Sequence, residues 1–146
     1  MTINLKNFLN DKQKLSKMGE FQALPEIDGL EVSSVSADLY GSGRDDLALF
    51  YFKEGANYAA VYTNNSICSE SITWNKGIRK TSIKALMVNT KNANTFTGSQ
   101  GFEGVETLSK TLAKNLTLRE SQKKQGTTGV IKPNEILFAS TGVIGE

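Results

Sequence analysis

Ile83-Lys84-Ala85-Leu86-Met87-Val88-Asn89, followed by Thr90-Lys91-Asn92-Ala93-Asn94-Thr95-Phe96-Thr97-Gly98, is the stretch on which the fold turns. Five of the first seven residues are apolar, with β-branched Ile83 and Val88 near the two ends and polar neighbours bounding them, which is the pattern of a strand. The next nine are rich in Asn and Thr, whose short side chains bond their own backbone and favour loops. A helix is expected directly after them. Thr97-Gly98-Ser99-Gln100 has capping-box spacing, and Phe102, Val105, Leu108, Leu112 and Leu116 recur on one helical face. Glu103 and Glu106 near its start and Lys110 and Lys114 further on suit the helix dipole.

Working outward, Leu47–Phe52 and Tyr58–Tyr62 read as two strands joined by a turn at Lys53–Asn57, hence an antiparallel hairpin. Leu30, Val32 and Val35 alternate weakly before a turn at Gly41-Ser42-Gly43-Arg44-Asp45-Asp46. Residues 1–24 read as an N-terminal arm or short amphipathic helix that Pro25 ends, and residues 25–146 as the domain proper. Residues 69–80 are ambiguous, with Trp74 as the apolar anchor, and residues 119–134 are polar enough for a surface loop. Ile136–Ala139 forms a last short strand that opens into Ser140-Thr141-Gly142-Val143-Ile144-Gly145-Glu146. The expected fold class is α/β, in the layered α+β sense: a mixed sheet backed by helices.

Composition narrows the function. The 146 residues carry a formal net charge of +2, with Lys and Arg scattered among acids. Nucleic acid needs a concentrated positive face and is therefore disfavoured as a partner. Histidine is absent, which removes Ser–His–Asp and Cys–His triads, histidine bases and nearly every zinc site. The single cysteine, Cys68, cannot close an intrachain disulfide and fits a reducing compartment. Met1–Lys6 has no signal-peptide character, and no stretch approaches the ~18 apolar residues of a membrane span. The chain reads as cytoplasmic, with no membrane partner.

Two strand-to-loop junctions are placed to carry chemistry: Val88–Gly98 and Ala139–Gly142. Backbone amides and short side chains point outward where strands end at a sheet rim. Both segments are equally compatible with ordinary turns, and neither matches a phosphate-binding loop. Without histidine, catalysis would rest on a hydroxyl nucleophile served by an amine, as with an N-terminal threonine. A backbone N–H and a hydroxyl at a glycine turn could then form an oxyanion hole.

At these junctions the sequence resembles the ornithine acetyltransferase family, also called bifunctional glutamate N-acetyltransferase/amino-acid acetyltransferase. Val88-Asn89-Thr90-Lys91-Asn92-Ala93-Asn94-Thr95-Phe96-Thr97-Gly98 matches the family's Val-Asn-Ser-Gly-Asn-Ala-Asn-Ala-x-Thr-Gly loop, and Ala139–Gly145 matches its Ala-Ser-Thr-Gly-Val-Ile-Gly segment. Gly43-Arg44-Asp45-Asp46-Leu47 and Val61-Tyr62-Thr63-Asn64-Asn65 are weaker echoes, in the right order. The resemblance implies the N-terminal part of such a fold and a role in arginine biosynthesis. Members move acetyl from N-acetylornithine to glutamate, and some also use acetyl-CoA as a co-substrate; no resident cofactor or metal is implied. It further implies autocatalytic cleavage before a threonine that becomes the nucleophile, and association of the resulting α and β chains into a hetero-oligomer. The Thr-Gly pair of the oxyanion hole maps to Thr141 and Gly142.

The chain departs from the family pattern in several places. Lys91 stands where the family has glycine, which strains the backbone if the position requires φ > 0. Residues 120–133 look like an insertion, and Thr127-Thr128-Gly129-Val130-Ile131 within it nearly copies Ser140–Ile144. Only the second copy follows an apolar strand, so the oxyanion role goes to it. The family's Lys-Gly-x-Gly-Met-Ile-x-Pro-x-Met-Ala-Thr cleavage segment is not among the 146 residues. Two readings follow: an N-terminal acetyltransferase portion, inactive alone, or a non-catalytic module that binds a partner or a small amino acid.

Overall fold

The computed structural model describes residues 25–123 and 129–145. Its four strands, β1 (Leu30–Val35), β2 (Leu47–Asn57), β3 (Ser82–Asn89) and β4 (Ile136–Ser140), form one sheet in the order β1-β2-β3-β4. β2 is antiparallel to both of its neighbours, β1 and β3, while β4 runs parallel to β3. A parallel neighbour needs a crossover, and the 26-residue helix α2 (Gly98–Lys123) supplies it. The sheet is therefore mixed and helix-backed, as the sequence pattern implied.

Tyr51, Ala85 and Ile136 form one cross-strand row, and Met87 faces Phe138 two residues on. Val105, Ala113 and Leu116 of α2 pack on that face. Full burial of side chains such as Val105, Leu116, Ile136 and Phe138 stabilises by about 1.5–3 kcal/mol each. The ambiguous segment 69–80 contains a helix, α1 (Glu70–Gly77), capped by Ser69, whose hydroxyl accepts from the Ile72 N–H. Trp74 Nε1 donates to Ile136 O at 2.9 Å, and the Asn75 amide both donates to Phe138 O (2.8 Å) and accepts from Phe138 N (3.0 Å). β4 is an edge strand, so these side chains satisfy backbone groups that would otherwise stand open. Trp74 also packs edge-on against Phe138, with ring centroids 6.2 Å apart.

Several sequence expectations need correction. The hairpin is β1–β2, not Leu47–Phe52 with Tyr58–Tyr62. β2 runs on to Asn57 through a register shift between Tyr51 and Ala56, where Gly55 adopts φ +86°. The Lys53–Asn57 stretch is thus a bulged strand rather than a turn. Residues 58–62 leave the sheet, and Val61 is 99% exposed. On α2 the buried stripe is Val105, Ser109, Ala113, Leu116 and Glu120, with Leu108 46% exposed. Small Ser109 and Ala113 let the helix approach closely, and Ser109 satisfies its own hydroxyl on Glu106 O at 2.7 Å. Residues 119–134 are only partly a loop: α2 continues to Lys123, Pro133–Glu135 form a 3-10 turn, and Ile131 is buried in the core. The arm expected over residues 1–24 lies outside the described residues, as do Thr127 and Thr128 of the near-copy.

Candidate active site at the two strand ends

Because β3 and β4 are parallel, their C-terminal ends emerge on the same rim of the sheet. Thr90–Thr97 leaves β3 and Thr141–Gly145 leaves β4. The two junctions singled out in the sequence are thereby brought together. They pair as an extension of the ladder: Thr141 N donates to Asn89 O (3.1 Å), Val143 N to Lys91 O (2.5 Å), Ala93 N to Val143 O (2.8 Å) and Gly145 N to Thr95 O (2.9 Å).

Side chains lock the first loop from beneath. Asn89 Nδ2 donates to Asn92 O at 2.8 Å, and Ser140 Oγ donates to Ala93 O at 2.5 Å. The buried Ser71, in the first turn of α1, donates to Ser140 Oγ at 3.4 Å. Asn94 is tied at both ends, since its carbonyl accepts from Glu70 N and its side-chain oxygen from Thr97 Oγ1 at 2.7 Å. Thr97 does precede α2, but its hydroxyl is spent on Asn94 and Gln100 is exposed, so the expected capping box gives way to a loop clasp. Thr90 Oγ1 and Asn92 Oδ1 are enclosed with no partner among the described residues, leaving unused polar capacity inside the loop.

Two backbone conformations set the shape. Lys91 adopts φ +81°, so the lysine that replaces the family's glycine does occupy a left-handed position. Gly142 adopts φ +132°, and a Cβ there would lie 1.8 Å from Lys91 O. Only glycine lets the two loops approach this closely.

This packing decides which donors face outward at the Thr141-Gly142 turn. The Thr141 N–H is engaged by Asn89 O. Among the described residues, the Thr141 hydroxyl and the Gly142 N–H have no hydrogen-bond partner, and both residues are exposed. A shallow cleft of about 320 Å³ is lined by Asn94, Phe96, Thr97, Gln100, Gly101 and Gly145, and Thr141 and Gly142 are not part of its wall.

The sequence reading missed one organiser of this rim. Asp46 is buried, and its carboxylate accepts from Ala37 N (2.6 Å) and Leu39 N (2.7 Å) to close the β1–β2 turn. Its carbonyl also accepts from Thr90 N at 2.9 Å, the first residue of the site loop. The signal available was the acidic pair Asp45-Asp46 directly before an apolar strand. Among the described residues no cluster of three or more His, Cys, Asp or Glu comes together, and no helix is long and apolar enough to cross a membrane.

Fold and rim together define a layered α+β unit in which parallel strand ends present a hydroxyl and a backbone N–H at a glycine turn. Residues 31–146 match the ArgJ family, and the chain belongs to it. It is 32% identical over 129 residues to the arginine biosynthesis bifunctional protein ArgJ of Caulobacter vibrioides, covering 86% of this chain and 29% of that protein. The ArgJ of Gluconobacter oxydans is 34% identical over 124 residues, covering 84% of this chain and 26% of its own. The chain thus spans less than a third of the length of these relatives. Among solved structures, the ornithine acetyltransferase of Mycobacterium tuberculosis, complexed with ornithine, superimposes with a TM-score of 0.70 at 26% identity. That match covers 82% of this chain and 58% of the other. The ArgJ of Bacillus halodurans shares the fold, with a TM-score of 0.64 at 24% identity and coverage of 82% and 56%.

Proposed function

We propose that this chain supplies the N-terminal portion of an acetyltransferase of arginine biosynthesis, which moves acetyl from N-acetylornithine to glutamate. Thr141 and Gly142 form its oxyanion hole. One observation supports the assignment: Thr141 N pairs with Asn89 O, while the adjacent Thr141 hydroxyl and Gly142 N–H have no hydrogen-bond partner among the described residues. In the proposed reaction a threonine with a free α-amino group, in a β chain outside these residues, attacks the acetyl carbonyl. The developing oxyanion is met by the two donors, which are pre-positioned by the loop ladder. Collapse breaks the amide bond, ornithine leaves with the proton taken up by the α-amino group, and the acetyl group remains on the threonine. The amine of glutamate then attacks the ester, and the same donors serve the second tetrahedral intermediate. Acetyl-CoA is a second donor in this scheme, the threonine is freed by self-cleavage, and the enzyme works in the cytoplasm as an assembly of α and β chains.

In the complete enzyme, Thr141→Ala is expected to lower kcat by about 10²–10³-fold, the cost of one oxyanion donor. An unchanged rate rejects the site assignment. The 146 residues alone are expected to show no turnover of N-acetylornithine plus glutamate, and measurable product would refute that part of the proposal.

A further inference from the structure

On the opposite rim, before the start of β3, lies a larger cleft of about 510 Å³. Its lining includes Tyr58, Tyr62, Lys76, Ile78, Arg79 and Lys80, with no acidic residue. We infer that this cleft binds a phosphomonoester carried on an aromatic base, such as a nucleoside monophosphate. The volume falls within the ~300–1,000 Å³ range of small-molecule sites and is far larger than a bare anion needs. The wall is mixed in the way such ligands require. Ile78 is buried, both tyrosines are half-buried, and Lys76, Arg79 and Lys80 are exposed. Burial, and secondarily Tyr58, holds the Tyr62 hydroxyl above its ordinary pKa, and the two phenol rings in the lining offer π faces for stacking.

The cations differ in how far they are committed. Lys76 lies in the last turn of α1 and donates to Thr63 O at 3.0 Å, a position the helix dipole alone accounts for. Arg79 and Lys80 lie beyond the helix, where that explanation does not reach. Lys80 is 3.6 Å from Glu135, a loose pair with the lysine side chain 41% exposed. Arg79 has no ion pair or hydrogen bond among the described residues, and its planar fork matches two phosphate oxygens. A phosphate dianion would engage Arg79 and draw Lys80 away from Glu135. The inference is independent of acetyl transfer, because the cleft and the Thr141-Gly142 turn occupy opposite rims of the sheet.

The test is a titration of the 146-residue protein with AMP, inorganic phosphate and adenosine, read by calorimetry and by backbone amide shifts. AMP is expected to bind saturably, shifting the Tyr58, Tyr62, Arg79 and Lys80 amides, and at least tenfold more tightly than either fragment. Arg79→Gln, an exposed change whose fold is checked by the remaining amide spectrum, is expected to weaken AMP at least tenfold. Glu135→Gln is expected to tighten it by freeing Lys80. Lys110→Gln, in an i,i+4 pair with Glu106 on α2, is expected to leave it unchanged. No saturable AMP binding, equal affinity for inorganic phosphate, or an Arg79→Gln protein that binds as well as the parent each overturns the inference.

Discussion

Replacing Gly142 by alanine tests the contact on which the candidate site depends. The added Cβ would stand 1.8 Å from Lys91 O, 2.1 Å from Lys91 C and 2.8 Å from Asn92 N, all backbone atoms that no side-chain rotation can move. Restoring ordinary contact near 3.4 Å requires the loops to part by about 1.6 Å. Such a shift breaks the Val143 N to Lys91 O bond, 2.5 Å in the structure, and strains the Ala93 N to Val143 O bond at 2.8 Å. Two backbone hydrogen bonds at ~1 kcal/mol each, plus ~1–3 kcal/mol for a non-glycine residue at φ +132°, give ~3–5 kcal/mol against the closed loops. The core is not touched, so the protein can relieve the clash by opening the loops. That opening caps the fall in global stability. Hydrogen exchange separates the two effects: the Val143 and Ala93 amides should lose protection while the Leu86 and Phe138 amides keep most of theirs. Urea unfolding should show a loss no greater than the sum above. If Gly142→Ala leaves the Val143 amide protected and costs less than ~1 kcal/mol, the close approach does not hold the loops and the reasoning fails.

Lys91→Gly should be neutral to stabilising, by up to about 1 kcal/mol in urea unfolding, because relief at φ +81° is partly offset by the greater unfolded-state entropy of glycine. A loss above ~1 kcal/mol would show that the lysine side chain contributes more than its backbone strain costs. Asp46→Ala should cost ~2–4 kcal/mol by stranding the Ala37 and Leu39 N–H groups, with Asp46→Asn intermediate, and a loss below ~1 kcal/mol in chemical denaturation contradicts the turn-closing role. The Glu31 carboxyl is held down to about 2 from 4.5, first by its hydrogen bond from Arg119 and then by Lys53, against the opposing effect of burial. A depressed carboxyl contributes stability that is complete above its unfolded pKa and is lost as pH falls from about 4.5 towards about 2. Its cationic partners are 40–47% exposed, so solvent screening reduces the effect to about 1 kcal/mol. Acid titration of Glu31→Gln should lack that part of the slope, and an identical pH profile would refute it.

Legibility in the sequence followed the length scale of the interaction that decided each element. β3, β4 and the existence of α2 were readable because period-2 and period-3.6 patterns are local. The hairpin partner was not. Leu47–Phe52 and Tyr58–Tyr62 look like paired strands, yet Gly55 bulges β2 and Asp46 closes a longer turn that brings β1 to it instead. A carboxylate accepting two distant N–H groups leaves no periodic signature. The helix face was misread for a related reason. Pattern counting weights large apolar side chains, whereas close packing on the sheet selects Ser109 and Ala113 and leaves Leu108 half in solvent. α1 was obscured because its role is polar: Asn75 and Trp74 bond the free edge of β4, a strand more than sixty residues away in the chain.

The candidate site reversed that rule, because its residues were marked by composition rather than periodicity. Asn, Thr, Ser and Gly gather where two strands end. The sequence alone left each junction open to being an ordinary turn, since one loop carries no information about its neighbour. The parallel pairing of β3 with β4 places both ends on one rim, and the ladder from Thr141 to Gly145 makes each loop the template of the other. Of the near-copy at residues 127–131, only 129–131 lie among the described residues. Val130 is 71% exposed and Ile131 is drawn into the core, its N–H bonded to Thr117 Oγ1. In Ser140-Thr141-Gly142 the neighbouring strand occupies the threonine amide through Asn89 O, and among the described residues the Thr141 hydroxyl and the Gly142 N–H have no hydrogen-bond partner.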